Sequence, residues 1–181
     1  METTNERPDS IDRFTRLPLC DEIVLPMTND QSQAARVEWI GISPGNRQPI
    51  EPRDEVIVAV GTGVEGDYHS KKKPGGDRQV TLIQAEHFAV IAANTGRDSV
   101  SPELFRRNIV VRGIELAPLI GRRFRLGEAL LEGTGPCTPC SRMDENLGAG
   151  GRLAMSGLGG LTAVVIEPGR IRRGDLVTIA E

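Results

Sequence analysis

The chain has 181 residues, 26% of them charged, and a formal net charge of −3. That length is enough for one domain with a real core, and the charge balance excludes nucleic acid or a membrane surface as a partner held by bulk charge. No stretch is long and apolar enough to span a membrane and the first ten residues are polar and acidic, so a cytoplasmic protein with reduced thiols is expected.

Residues 1–33 read as a polar, partly flexible N-terminal extension around one apolar run, Ile23-Val-Leu25. Cys20 stands there without a metal-ligand neighbour in sequence. The remainder, 34–181, reads as one domain. Arg36-Val-Glu-Trp-Ile-Gly-Ile42 alternates as a strand. Glu55-Val-Ile-Val-Ala-Val60 is nearly all apolar, which predicts burial on both faces. It runs into the glycine loop Gly61-Thr-Gly-Val-Glu-Gly-Asp67, which lacks the following helix that a dinucleotide motif needs. Tyr68-His69 follows, then Lys71-Lys-Lys73, which holds every lysine of the chain. All other formal cations are arginine, which suits bidentate phosphate contacts and is equally the signature of a GC-rich genome.

Arg78-Gln-Val-Thr-Leu-Ile83 is a strand with Arg78 at its mouth. Ala85, Phe88, Ala89 and Ala92 recur with helical spacing, which predicts an amphipathic helix over 84–94 stopped near Gly96. Ser101-Pro-Glu103 predicts a capped helix start. Arg106-Arg-Asn-Ile-Val-Val-Arg-Gly113 is a strand entered through two arginines and an asparagine. Arg122–Leu126 and Ala129–Glu132 pair as a hairpin through Gly127-Glu128. Six arginines against two acids over 101–125 allow a basic face for an anion, or ion pairs with acids elsewhere.

Gly133-Thr-Gly-Pro-Cys-Thr-Pro-Cys-Ser-Arg-Met143 carries Cys137 and Cys140 in a stiff C-x-x-C turn. Ser141 is placed to cap a short helix, whose N-terminus, with Arg142, would favour a reactive or metal-binding thiolate. Two buried, inert cysteines at a strand end fit the spacing as well. Gly148-Ala-Gly-Gly151 reads as a hinge, and Leu161–Ile166 and Leu176–Ile179 as closing strands. About eight short strands and one solid helix predict a mainly β domain closed, or nearly closed, into a barrel.

Five stretches, in order over roughly residues 35–180, resemble the MOSC family, named for the C-terminal domain of molybdenum-cofactor sulfurase. They are Gly63–His69, Arg78–Leu82, Arg106–Gly113, Pro136–Cys140, and Gly160-Leu-Thr-Ala-Val-Val with Ile171–Asp175. The resemblance implies a barrel-like β fold. In members that reduce N-hydroxylated compounds, one cysteine ligates molybdenum beside a pterin dithiolene, and the ligand position maps onto Cys140. The same resemblance makes Arg78, Arg107, Asn108 and Arg142 candidates to hold the cofactor, and Cys137, Asp67 and His69 their neighbours at the reacting centre. The amidoxime reducers carry a further N-terminal β domain, whereas only about 33 residues precede the match here, as in stand-alone bacterial members.

Three functions follow from that resemblance. One is a molybdenum-cofactor oxidoreductase acting on N-hydroxylated small molecules, fed by a separate electron-transfer protein. The second is a persulfide carrier in which Cys140 holds the sulfur and Cys137 resolves it. The third is a pterin-binding module without turnover. Pyridoxal phosphate is disfavoured, because a Schiff base needs a lysine and all three lie in one glycine-flanked loop.

Overall fold

Runs of valine, isoleucine and leucine, punctuated by glycine and proline, pair here into two sheets. The computed structural model describes residues 34–71 and 74–180. The expected N-terminal extension, with its apolar run and Cys20, lies outside the described residues, as do Lys72 and Lys73. The strands are β1 (Arg36–Ile42), β2 (Glu51–Arg53), β3 (Glu55–Ala59), β4 (Gly63–Val64), β5 (Val80–Gln84), β6 (Ile109–Arg112), β7 (Arg123–Leu126), β8 (Ala129–Pro136), β9 (Leu161–Glu167), β10 (Gly169–Arg172) and β11 (Val177–Ile179). The helices are α1 (His87–Asn94), α2 (Arg142–Leu147) and α3 (Gly151–Ala154). The domain is therefore mainly β with few helices, as its short-strand spacing predicts.

The larger sheet has eight strands in the order β11-β7-β8-β9-β5-β6-β1-β2, and the smaller has three, β10-β3-β4. The β5–β6 pair is parallel. A parallel pair needs a crossover rather than a tight turn, and α1 lies in that crossover. The predicted hairpin forms as β7 and β8, with Leu126 opposite Ala129 and Gly127 at φ 58°.

Of the barrel expected to be closed or nearly closed, the closed form is not found. The eight strands form one large mixed sheet, and the segment leading into β11 meets β1 at an isolated bridge between Arg36 and Leu176. The reason lies in how β1 divides its outer edge. Its second half, Ile40–Ile42, pairs with β2. Only its start is left for the C-terminal segment, through Val37 N to Asp175 O (2.9 Å), Gly174 N to Val37 O (2.8 Å) and Val177 N to Ala35 O (2.8 Å).

Alternation along β5 and β6 builds two cores on opposite faces. Leu82, Ile109 and Val111 join the main core, which also takes Val56, Val58, Val64 and Ile171 from the smaller sheet. Ile83 and Val110 face the other way, against Ile91, Phe105, Met143, Leu147 and Met155. This is why all five residues of β5 are buried. Phe105 is fully buried and packs on Phe88 with ring centroids 4.6 Å apart. Burying such a side chain contributes roughly 1.5–3 kcal/mol.

Three local expectations are revised. The helix expected over 84–94 begins at His87, because Gln84 is the last residue of β5 and its side-chain oxygen accepts the Leu116 amide (3.3 Å). β3 is not buried on both faces: it lies in the small sheet with Ile57 45% exposed. Of the expected hinge Gly148–Gly151, the first three residues are exposed and the last is packed: Gly151 is buried, and a Cβ there would stand 2.4 Å from the Met143 carbonyl oxygen.

Candidate functional site

The β8 strand ends at Pro136, paired with Leu161, and delivers the cysteine turn directly. The Cys137 amide donates to the Gly160 carbonyl (2.8 Å), which pins the start of the turn. A Cβ on Gly159 would lie 2.2 Å from the Cys137 carbonyl oxygen, so only glycine allows this approach. Cys137 is buried and Cys140 is exposed, and both are free thiols. The turn passes into α2 through a Met143 amide to Cys140 carbonyl bond (2.9 Å), with the Met143 side chain buried as an anchor. Ser141, expected to cap α2, adopts a helical conformation and makes no side-chain cap bond.

Cys140 opens on a cleft of about 220 Å³ lined by Asn46, Tyr68, His69, Arg78, Arg106, Arg107, Arg142 and Met143. Four arginines line it, and none forms an ion pair with a carboxylate among the described residues. The rim arginines are differently held. Arg142 donates to the Asn46 side-chain oxygen (2.8 Å) and Arg106 to the Gln48 carbonyl (2.9 Å) and the Ser43 hydroxyl (3.0 Å). Arg78 is exposed and makes no hydrogen bond to a described residue.

Arg107 is the buried one. Its Nε donates to Gly159 O (2.8 Å), Nη1 to Phe105 O (2.9 Å) and Nη2 to Cys137 O (3.0 Å). Burial pushes its pKa down; the nearby Cys137 and Cys140 sulfurs oppose that shift, while Arg78 adds to it. Burial likewise lowers Arg106, helped by the Arg142 charge and countered by Asp67, Cys140 and Glu145. Arg106 also takes a left-handed backbone, φ 56°, unusual for a residue with a Cβ.

A second network supports the cleft floor. Asp67 is 3% exposed and accepts four hydrogen bonds, from Ser43 N (2.8 Å), His69 N (2.8 Å), Asn108 Nδ2 (3.0 Å) and His69 Nδ1 (2.9 Å). Burial alone would raise the Asp67 pKa, but the bonds from the His69 side chain and from the Ser43 and His69 amides outweigh it and hold the carboxyl below the usual range. Asn108 accepts from Thr81 N (3.1 Å) and Thr81 Oγ1 (2.8 Å), and its amide nitrogen also reaches Gly41 O (3.4 Å). Its side chain is thus committed within the protein.

Of the sequence-derived candidates, Cys140, His69, Arg78, Arg107 and Arg142 line the one cleft. Asp67 and Asn108 line a smaller cavity of about 30 Å³ that shares His69, Arg78 and Arg106 with it. Cys137 lines neither. Arg106 is the site residue that sequence reasoning passed over, although it sits beside Arg107 in the same motif. Asn46 and Ser43 carry no motif in the sequence, and Tyr68 enters only as part of the stretch Gly63–His69. Among the described residues no three His, Cys, Asp or Glu side chains gather to hold a metal ion by themselves, so a metal here would have to bring ligands of its own.

Comparison with known proteins bears on the fold first. The YuaD protein from Bacillus subtilis superimposes with a TM-score of 0.70 at 23% identity, covering 81% of this chain and 95% of that one. YiiM from Geobacillus stearothermophilus gives a TM-score of 0.66 at 19% identity, over 81% and 75% of the two chains. YiiM from Escherichia coli gives 0.63 at 23% identity, over 81% and 70%. No curated protein matches the chain. The sequence model of the MOSC domain matches residues 65–178, a span that holds the four arginines of the cleft, Asp67, His69, Asn108 and both cysteines of the turn. The chain belongs to the MOSC domain family.

Proposed function

We propose that this protein binds the molybdenum cofactor, with Cys140 as the protein ligand to the metal, and reduces N-hydroxylated small molecules with electrons from a separate redox protein in the cytoplasm. The observation that carries the reading is an exposed thiol in a cleft whose four arginines form no ion pair with a carboxylate among the described residues. A pterin dithiolene with its phosphate fits that donor set. Cys140 would hold the metal by one soft thiolate, the group's own sulfurs completing the donor set, and the guanidinium groups would meet its anionic oxygens. When bound, the group supplies a centre that exchanges two electrons.

The chain's own residues then divide the work. Arg78, Arg106 and Arg142, on the rim, have N–H donors free for phosphate and pterin oxygens. Arg107 adds buried positive charge behind the thiol while it holds the cysteine turn in place. Asn108 acts on the cleft through Asp67 rather than by touching the cofactor.

The test is molybdenum content and N-hydroxy reduction in three proteins from a host that makes the cofactor. The parent is expected to hold molybdenum and to turn over. Cys140→Ser should lose both together, since a hydroxyl is a poor substitute for a thiolate. Cys137→Ser should keep both. A parent with metal but no turnover supports the pterin-binding module instead. Absence of molybdenum in the parent, with a persulfide that labels at Cys140, supports the carrier. That carrier is disfavoured because its resolving thiol, Cys137, is only 1% exposed.

A further inference from the structure

We propose that His69 is the proton donor of this cleft and Asp67 the residue that positions it, a proposal that rests on the reductase reading above. The His69 side chain is 61% exposed, while the Asp67 carboxyl it meets at 2.9 Å is 4% exposed. One ring nitrogen, Nδ1, is committed to that carboxylate. The other, Nε2, has no described partner, and the residue lines the same cleft as Cys140. The imidazole is fixed from three sides. Its own amide donates to Asp67, its side chain bonds the same oxygen, and the Tyr68 ring stands edge-on with centroids 5.6 Å apart. Asp67 cannot swing away, because Ser43 N and Asn108 Nδ2 hold its second oxygen.

A buried carboxylate on one nitrogen of a histidine stabilises the imidazolium and leaves the other nitrogen to move a proton. The chemistry asks for one. Reducing an N-hydroxyl group breaks the N–O bond, consumes two electrons from the redox protein and needs two protons. One goes from His69 Nε2 to the departing hydroxyl, which leaves as water. The second reaches the nitrogen from solvent. His69 keeps its Nδ1 proton on Asp67 and is recharged by solvent. Otherwise the cleft presents Arg78, Arg106, Arg107, Arg142, Cys140 and Tyr68 to the imidazole. A guanidinium is a poor proton donor. The thiol is assigned to the metal. His69 is the imidazole that lines this cleft with Asp67 behind it.

The experiment uses the full chain in two states. In cofactor-free protein, nitrogen NMR of the histidine ring is expected to show neutral His69 protonated on Nδ1. Asp67→Asn should shift it toward the Nε2-protonated form. If Asp67→Asn does not fold, the parent spectrum still decides: a ring protonated on Nε2 overturns the dyad. In the loaded protein, His69→Gln should keep its molybdenum and its KM but lose about 100-fold or more in kcat. The fall in rate on the alkaline side should vanish with it, and added imidazole should restore part of the rate of His69→Ala. A His69→Gln protein as fast as the parent overturns the proton donor and leaves the reductase reading standing. A loaded parent that reduces no N-hydroxylated compound overturns the reductase reading, and the donor role with it.

Discussion

Arg107 Nη2 donates to the carbonyl oxygen of Cys137 at 3.0 Å, which ties the mouth of β6 to the turn that carries the exposed thiol. With Gly159 and Phe105 as its other acceptors, the guanidinium joins three segments that the chain order keeps apart. Arginine is the one side chain with a rigid fork of donors that can serve three carbonyls at once.

Arg107→Lys should therefore be far from conservative. An ammonium cannot span all three carbonyls, and at least one is left buried and unpaired, at about 1–3 kcal/mol for each such group. Urea unfolding is expected to show a loss of about 2–4 kcal/mol. A lysine variant as stable as the parent would show that the three bonds carry no net stability.

Asp67 makes stability depend on pH. Its folded-state pKa lies below that of an unfolded aspartate, which is about 3.9. The stabilisation it gives is present above that value and is lost as pH falls through the folded-state pKa. Asp67→Asn should destabilise the protein by about 1–2 kcal/mol near neutrality and flatten the acid limb of a plot of urea midpoint against pH. Parallel curves for the two proteins would contradict the assignment.

The two cysteines of the turn should differ sharply as reagents. In a Cys20→Ser background, a thiol-specific alkylating agent is expected to modify Cys140 in the native protein and Cys137 only on unfolding, because Cys140 is exposed and Cys137 is 1% exposed. Mass spectrometry of the peptide that spans both reads the order directly. Equal rates would mean that the turn opens readily.

Gly160 should tolerate no side chain. It sits at φ +88°, and a Cβ would stand 1.9 Å from the Leu82 carbonyl oxygen, so the strand and not a flexible side chain would have to move. Gly160→Ala is expected to cost at least about 2 kcal/mol. Because Gly160 O also receives the Cys137 amide, native-state labelling of Cys137 should speed up in the same variant.

Much of this was legible in the sequence, for reasons that differ from residue to residue. The strand character of β1, β7 and β8 followed from alternation and the Gly127 turn. The end of α1 followed from Gly96, which closes it at φ 64° with Arg97 N bonding Ala92 O. Its start was misplaced because Gln84, a good helix residue, is taken by β5 and by the Leu116 amide. The double-sided burial expected of β3 failed because apolar composition does not reveal whether a strand joins a covered or an open sheet. Arg78, Arg107 and Cys140, each singled out by a different stretch that resembles the family, line one cleft. The dual commitment of Asn108, and Arg106 as a cleft residue, depend on contacts with Asp67 and Ser43 that lie far away in the chain.

The way β1 divides its outer edge bears on how molecules of this protein meet one another. A long unpaired strand edge is a template on which another chain can add a strand. Here the first half of that edge is taken by residues 174–177 and the second half by β2. β2 itself is three residues long, with Pro52 at its centre between Glu51 and Arg53. Proline offers no amide to a newcomer, and the flanking charges resist burial. The β11 end is equally short, three residues, and its first residue, Val177, already donates to Ala35. Among the described residues the large sheet thus offers little edge on which a second copy could extend the ladder.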